Sequence, residues 1–184
     1  MKNQPEKHQI ICQKLLRGYQ FSESDLYLAE NESLYNNLHN NFQWFKDQLA
    51  VIGVSLIQDD GVIFLEKEDK ILSGEEKQTV VVLFLLTDMW MEKDGTFGDL
   101  FQLRIHIADL DWFRDGYGKD YLIQVGIEEI THIEDLFRKI YRKGLVYYYS
   151  ESQTITLRKP AERIINMARK IHSQIKAKES DADE

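Results

Sequence analysis

Cysteine is almost absent from the sequence, and its scarcity narrows the kinds of site that the chain can hold. Among 184 residues there is one cysteine, Cys12. A single cysteine excludes an internal disulfide and the usual four-ligand zinc cluster, and it fits a reducing compartment. Hydrophobic residues make up 43% of the chain, which is enough to bury a core in one ordinary domain or two small ones.

The sequence also lacks a hydrophobic segment of membrane-spanning length. Its longest apolar run, from Val80 to Leu86, is far shorter than the roughly 20 residues that cross a bilayer as a helix. The polar start, from Met1 to Glu6, has no apolar region of the kind found in secretory signals. These features predict a soluble protein of the cytoplasm.

Positive charge is the third shortage. The formal net charge is -8 and the isoelectric point is near 5.2. A chain of this charge does not present a wholly basic surface to nucleic acid, so any contact with DNA is expected at a local patch. Part of the acidity lies in residues 179–184, which we interpret as a solvated, disordered tail.

Apolar residues recur at intervals of three or four along several segments, which is typical of helices with one buried face. The strongest pattern runs from Ser33 to Ile52. The polar segment from Tyr19 to Glu32 predicts a loop with at most one short turn. Apolar periodicity, terminating glycines and Pro160 predict further helices over 6–17, 99–109, 127–143 and 160–177.

The apolar segment from Val80 to Trp90 is open to two interpretations. The β-branched residues 79–82 favour a strand. However, no turn signal follows them, and Ser73 and Glu76 have the spacing of a helical capping box. We therefore predict a deeply buried helix from Ser73 to Met91.

Two stretches share one succession of features: an amphipathic helix, a glycine, a short strand, a polar turn, a second strand and a lysine. They read FKDQLAVIGVSLIQDDGVIFLEK over 45–67 and LFRKIYRKGLVYYYSESQTITLRK over 136–159. Asp60 and Gly61 between two β-rich runs are a hairpin signal, and the polar residues 150–153 hold the same place in the second stretch. Repetition at this spacing predicts two copies of one module.

A helix followed directly by a hairpin, with other helices before it, is the order of a winged helix. We therefore predict a mostly helical α+β fold with tandem winged-helix domains, each ending in a β-hairpin wing. The domains are expected over 1–72 and 73–160, followed by a helix over 161–178 and the acidic tail. The alternative is an ordinary small α+β fold in which helices happen to precede hairpins.

Six cations near the second predicted wing form a candidate DNA-binding patch, with salt-sensitive, sequence-independent contacts to phosphates. The alternative is that the basic residues at the helix end only complement the helix dipole. Acidic residues occupy the front half of this helix, where base-reading helices usually make contact, which argues against sequence-specific readout. The six cations are Arg138, Lys139, Arg142, Lys143, Arg158 and Lys159.

Two large apolar residues, Trp44 and Val51, lie together on a side of the 33–52 helix away from its main stripe. Aromatic and apolar residues on a second helical face often mark a protein interface. The alternative is that the 19–32 segment covers them. Tyr147, Tyr148 and Tyr149 pose a similar question, because strand alternation exposes at least one of them.

Enzymatic motifs are missing from the sequence. The densest group of potential ligands misses the spacing of a calcium loop and has no histidine pair at a zinc-binding interval, so we interpret it as a solvated loop. A metal-dependent hydrolase built on this loop is the alternative. We assign no catalytic residue, no metal and no cofactor. The group consists of His106, Asp109, Asp111, Asp115 and Asp120.

With this order of elements, the chain resembles the MukE and MksE family, the small winged-helix "kite" subunits of the bacterial MukBEF and MksBEF condensins. The stretches that carry the resemblance are LLRG at 15–18 and the two repeated stretches quoted above. The chain is shorter than MukE, which favours MksE. The resemblance covers most of the chain, and its motifs are hydrophobic and topological.

The resemblance implies a non-catalytic homodimer that binds a kleisin subunit similar to MksF or MukF. Through the kleisin it would reach an SMC-type ATPase similar to MksB or MukB. It also implies nonspecific binding of double-stranded DNA and a nucleoid-associated role in chromosome organisation and segregation, without a membrane. The alternatives are a stand-alone winged-helix transcription regulator and the kite subunit of a plasmid-defence complex similar to Wadjet.

Overall fold

The computed structural model describes residues 4–24, 29–66, 72–92, 95–114 and 117–180. The chain divides into two compact units. Unit 1 consists of Met1–Ile71 with Arg142–Leu145, and unit 2 consists of Leu72–Tyr141 with Val146–Glu184. Both units combine helices with one small antiparallel sheet, so the predicted mostly helical α+β fold class is confirmed.

In the part of unit 1 that the structure describes, a three-stranded sheet lies beside three helices. The antiparallel sheet has the strand order β1-β3-β2. The elements in chain order are α1 (Gln4–Leu16), β1 (Phe21–Ser22), α2 (Ala29–Asn40), α3 (Phe42–Ala50), β2 (Ser55–Asp59) and β3 (Val62–Glu66).

The core of unit 1 is apolar and draws on all three helices and the sheet. Gly18 ends the first helical segment with a positive φ of 83°, a conformation that glycine adopts without steric cost. Each helix contributes residues spaced three or four apart, as the sequence pattern predicted. The fully or nearly fully buried side chains include Ile11, Leu15, Phe21, Leu34, Leu38, Phe45, Leu49 and Ile63.

The first hairpin forms as predicted. Asp60 and Gly61 are its two loop residues, with φ of 44° and 73°. Two consecutive positive φ angles match the twist of the flanking strands in a two-residue hairpin, and Asp-Gly is a preferred pair there. The Glu23 N–H also donates to the Gly61 carbonyl at 2.9 Å, which ties the turn to the end of β1.

The single helix predicted over 33–52 is wrong, because two helices, α2 and α3, replace it. Asn41 interrupts them with φ -115° and ψ 25°, and its side-chain amide donates to the Asn37 carbonyl at 2.8 Å. Apolar residues keep helical spacing across the break, so periodicity does not reveal it. The second helix ends at Ala50, and Ile52, which the pattern placed on the buried face, is exposed.

The loop predicted over 19–32 is also wrong in part. Strand β1 lies within it, with Phe21 opposite Ile63 of β3, and α2 begins at Ala29. A strand of two residues is too short to show alternation, and its partner lies far away in sequence. The first turn of α2 carries Glu30, Asn31 and Glu32, so no apolar stripe marks its start.

Within its described residues, unit 2 carries a second three-stranded antiparallel sheet, of order β4-β6-β5, with four helices. Short 3₁₀ segments at Asp99–Phe101 and Ile107–Arg114 precede and follow β4. The elements in chain order are α4 (Gly74–Glu92), β4 (Ile105–His106), α5 (Tyr117–Gln124), α6 (Ile130–Arg142), β5 (Val146–Tyr149), β6 (Thr154–Leu157) and α7 (Lys159–Ser180).

The apolar segment after Ser73 is a helix, as predicted, and α4 is buried along much of its length. Its capping box is formed: the Ser73 N–H donates to Glu76 Oε2 at 2.9 Å, and the Glu76 N–H donates to Ser73 Oγ at 3.3 Å. The β-branched residue Thr79 is accommodated because its hydroxyl donates to the Glu75 carbonyl at 2.8 Å.

The short helix predicted over 99–109 is wrong. The structure places the two 3₁₀ segments and β4 in this region, and it forms α5 where the sequence indicated a loop. Among the α5 side chains that are described, Leu122 is buried and Tyr121 and Ile123 are exposed, so the helix has little apolar stripe to recognise. Helix α6 begins at Ile130, three residues later than Ile127.

The two halves of the chain repeat one order of elements: a helix, a short strand, two helices and a hairpin. In both sheets the first strand pairs with the third, which lies in the centre. Gly53 and Gly144, with φ of 74° and 71°, end the helix before each hairpin. The internal repeat inferred from these two glycines is therefore present in the structure.

Candidate nucleic-acid and protein interfaces

Helix α6 carries the centre of the predicted DNA patch on its solvent face. Ile133, Leu136, Phe137 and Ile140 are buried, and they define one face of the helix. With 100° per residue, Arg138, Lys139 and Arg142 project on the opposite face, and all three are exposed. Arg138 and Arg142 are one helical turn apart, so their charges are close enough to act on one phosphate backbone.

Carboxylates limit the basic face of α6 to its C-terminal half. Asp135 is exposed one turn before Lys139, and Glu128 and Glu129 are exposed ahead of the helix. The Lys139 ammonium lies 3.9 Å from Glu75 Oε2, at the outer limit of an ion pair between two exposed groups. This distribution agrees with a local patch and disfavours a helix whose N-terminal half reads bases.

The prediction that Arg158 is an exposed member of the DNA patch is wrong. Its residue exposure is 4%, and its guanidinium carbon lies 5.2 Å from the centroid of the Tyr147 ring. The sequence placed it on a returning strand next to Lys159 but did not show which side of the sheet is covered. A buried guanidinium that stacks on an aromatic ring has a structural role, because it cannot meet a phosphate in solvent.

The two remaining exposed-patch candidates, Lys143 and Lys159, are grouped with different units, and Arg142 at the end of α6 is itself grouped with unit 1. Lys159 lies in unit 2 and forms an ion pair of 2.8 Å with Glu162 in the first turn of α7. Lys143 is half-buried and is grouped with unit 1, where its carbonyl accepts a hydrogen bond of 2.9 Å from the Gln20 N–H. The exposed cations that share one element are therefore the three on α6.

Trp44 and Val51 are both exposed in unit 1, by 46% and 83%. The Trp44 ring packs against the imidazole of His8, with centroids 4.7 Å apart, and against the edge of Phe45 at 4.9 Å. Ile52 adds a third exposed apolar side chain beside Val51. The alternative that the 19–32 segment buries Trp44 and Val51 is therefore wrong.

A comparison with protein families identifies the chain. The model of the family described as condensin complex protein MksE matches residues 6–169. This chain belongs to the MksE family. The match spans both units and both hairpins, and it makes the chain a condensin complex protein. No curated protein matches the sequence.

The potential metal ligands of this MksE-family chain do not assemble into a site within the part that the structure describes. Among those residues, no group of three or more His, Cys, Asp or Glu side chains is placed to hold a metal ion. His106, Asp109 and Asp120 are exposed. The Asp111 side chain and Asp115 lie outside the described residues.

The one cysteine is poorly suited to nucleophilic chemistry. Cys12 is half-buried on α1, and burial raises the pKa of its thiol. A raised pKa lowers the thiolate fraction at neutral pH, and the thiolate is the nucleophile. Tyr35 on α2 behaves similarly, because burial and the charge of Glu23 raise the pKa of its hydroxyl.

Two further features bear on binding surfaces. Within the described residues, no helix is both long enough and apolar enough to span a bilayer. Arg104, which precedes β4, and His106, the last residue of β4, are exposed, and β4 pairs with β6 of the second hairpin. The sequence contains no signal for this arrangement, because the pairing of β4 with β6 joins segments separated by α5 and α6.

Proposed function

We propose that this chain is a non-catalytic accessory subunit of an SMC-type condensin that binds a kleisin subunit and double-stranded DNA. It would serve chromosome organisation and segregation at the nucleoid. Membership of the MksE family supports the assignment to a condensin. The observation that carries the DNA-binding part is the exposed basic face of α6, formed by Arg138, Lys139 and Arg142.

We propose that each repeat of the fold is a winged-helix domain. In unit 1 the order α1, β1, α2, α3, β2, β3 with the sheet order β1-β3-β2 fits that architecture. The corresponding order in the second half supports a second domain, with boundaries near 1–72 and 73–160. In this assignment α6 is the second domain's last helix before the wing, and α7 is an addition after it.

The proposed DNA contact is electrostatic and independent of sequence. Cations at the C-terminal end of α6 would neutralise phosphates and release counterions. The acidic residues before and within the first half of α6 would repel a base-reading approach. Because the chain has a net charge of -8, binding is expected to be weak and to be lost as the salt concentration rises.

Charge reversal on α6 tests the DNA contact. The double variant Arg138→Glu and Arg142→Glu removes two exposed cations from the basic face, and Lys46→Glu is a matched control on the exposed side of α3. We expect the double variant to reduce the dependence of log Kd on log salt by about two, as about 0.9 is lost per phosphate contact. If the salt dependence of Kd does not change, Arg138 and Arg142 do not contact DNA, and they only complement the helix dipole.

We propose that the exposed apolar residues Trp44 and Val51 contact a protein partner, with the kleisin as the expected one. The exposure of these two side chains supports the proposed contact, because large apolar side chains on a surface often mark an interface. The variant Val51→Asp, at the residue that follows α3, tests the contact, and Gln48→Glu in the last turn of α3 is its control. Loss of kleisin capture by the first variant alone supports the assignment, and equal capture by both rejects it.

A homodimer is part of the same proposal. Size-exclusion chromatography with light scattering gives the mass of the purified chain directly. A mass of about twice the 21.7 kDa of one chain supports the dimer. A mass of one chain at every concentration tested rejects it.

A further inference from the structure

One face of the second sheet carries cations, aromatic rings and hydroxyls. The pairings set Val146 opposite Leu157 and Tyr148 opposite Ile155, and the apolar members of these pairs are buried. Because side chains alternate along a strand, the intervening residues lie on the other face. We call this set the polar sheet face; it consists of His106, Tyr147, Tyr149, Thr154 and Thr156, together with Arg104 and Arg158, which lie just outside the strands and stack on the rings of Tyr149 and Tyr147.

The polar sheet face has an exposed end. His106, Thr154 and Tyr149 form one row across the three strands, because Thr154 pairs with both of the others. His106 and Tyr149 are exposed, and Tyr149 keeps 39% of its surface accessible. Arg104, two residues before His106, is also exposed, and its guanidinium carbon lies 4.8 Å from the centroid of the Tyr149 ring.

The exposed end is built from hydrogen-bond donors. The Ala108 N–H donates to His106 Nδ1 at 3.3 Å, which leaves the proton of the neutral imidazole on Nε2. The guanidinium of Arg104 is held over an aromatic ring, so little of its side-chain freedom remains to be lost when it binds an anion. The ring of Tyr149 therefore acts as a support for the cation.

The charge on this face is of one sign. At its exposed end Arg104 is a cation, and none of Arg104, His106 and Tyr149 is a carboxylate, in a chain whose net charge is -8. Glu151 lies in the hairpin turn, outside the paired strands. The solvent face of α6, by contrast, mixes its cations with Asp135. Charge complementarity thus favours an anionic occupant at the polar sheet face.

We propose that the exposed end of the polar sheet face, formed by Arg104, His106 and Tyr149, binds the phosphate backbone of duplex DNA. This inference rests on the proposed DNA-binding function and adds a second contact region to the basic face of α6. A guanidinium fixed on a ring, a ring N–H and a phenol hydroxyl are donors that suit phosphate oxygens. None of them requires a particular base.

Equilibrium binding of the full chain to a labelled random-sequence duplex, measured over a range of salt concentrations, tests the proposal. Arg104→Gln removes the charge, and Arg169→Gln is a matched control, because the Arg169 guanidinium also stacks on a ring, 4.6 Å from the centroid of Phe97. We expect Arg104→Gln to weaken binding roughly fivefold or more near 0.1 M salt and to lower the salt slope by about one. The control is expected to match wild type.

Two variants test whether the Tyr149 ring positions the Arg104 guanidinium. Tyr149→Phe keeps the ring under Arg104 and removes only the hydroxyl, whereas Tyr149→Ala removes the ring. We expect the alanine variant to weaken DNA binding more than the phenylalanine variant does. Equal binding by both variants and wild type would overturn the positioning role.

The outcomes separate this inference from the proposed function. If Arg104→Gln binds DNA as wild type does while the α6 charge reversal weakens binding, the polar sheet face is not a DNA contact and the proposed function stands. If the wild-type chain binds no duplex at low salt, the inference and the DNA-binding part of the proposed function both fail. The inference is supported if Arg104→Gln lowers the slope of log Kd against log salt by about one while Arg169→Gln leaves it unchanged.

Discussion

Gly53 and Gly144 occupy equivalent places in the two repeated stretches of the chain. Each ends a helix and precedes a hairpin, and their φ angles are 74° and 71°. A residue with a Cβ is strained in this left-handed conformation, so the same chain reversal demands glycine twice. The repeat is therefore encoded by backbone conformation as well as by apolar spacing.

The first prediction concerns Gly53. A Cβ built at this position meets no atom within 4 Å, so Gly53→Ala would introduce backbone strain alone. We expect the free energy of unfolding to fall by about 1 kcal/mol. Gly74→Ala is the control, because Gly74 also has open space but lies in the first turn of α4 without a positive φ. Urea unfolding of both variants checks the difference, and equal stabilities would contradict the prediction.

A second prediction concerns Gly95, which lies against the indole of Trp90. A Cβ there would come within 2.1 Å of Trp90 Nε1, which donates to the Thr96 carbonyl at 2.9 Å. We expect Gly95→Ala to destabilise the protein by about 1–3 kcal/mol, because the ring must move and its hydrogen bond is lost. Gly98→Ala, whose nearest neighbour is at 4.0 Å, should be nearly neutral in the same thermal unfolding experiment.

The capping box of α4 gives a third prediction. Ser73→Ala removes the hydroxyl that accepts a hydrogen bond from the Glu76 N–H. The helix would then begin with an unpaired donor, and we expect a loss of about 1 kcal/mol in unfolding free energy. Ser73→Asp retains an acceptor and should restore most of the stability. A Ser73→Asp variant as unstable as Ser73→Ala would contradict the capping role.

The fourth prediction concerns the pH dependence of Cys12 reactivity. Burial raises the pKa of this thiol above its ordinary value of 9.0, so the folded protein retains the proton at a pH where a free thiol has lost it. Alkylation of the native protein, followed by mass spectrometry, should have its midpoint at a higher pH than alkylation in denaturant. By linkage, the protonated Cys12 thiol contributes to the free energy of unfolding at pH values below its pKa in the unfolded state. This contribution is lost as the pH rises through its pKa in the folded state. A native midpoint at or below the denatured one would contradict the prediction.

The sequence predicted those elements whose signals are local. The Asp60-Gly61 hairpin and the helix opened by Ser73 follow from turn chemistry and capping, which operate over a few residues. Strands β1 and β4, at two residues each, follow from long-range pairing and have no local signal. The break at Asn41 was hidden because apolar spacing continues through it.

The sequence likewise predicted only part of the candidate surfaces. Helical periodicity sufficed to place Arg138, Lys139 and Arg142 on one solvent face of α6. It could not show that Arg158 is buried over Tyr147, because a strand's exposure depends on what covers the sheet. The contact of Arg104, just before β4, with the ring of Tyr149 in β5 joins residues far apart in sequence and likewise required the fold.

Co-purification with a kleisin tests the central claim most directly. The full chain would be co-expressed with the kleisin of a candidate MksBEF complex, captured through a tag on the kleisin, and passed over a sizing column. The account predicts that the two proteins elute together as one complex, and that Val51→Asp releases this chain while Gln48→Glu does not. Elution of the wild-type chain apart from every candidate kleisin would contradict it.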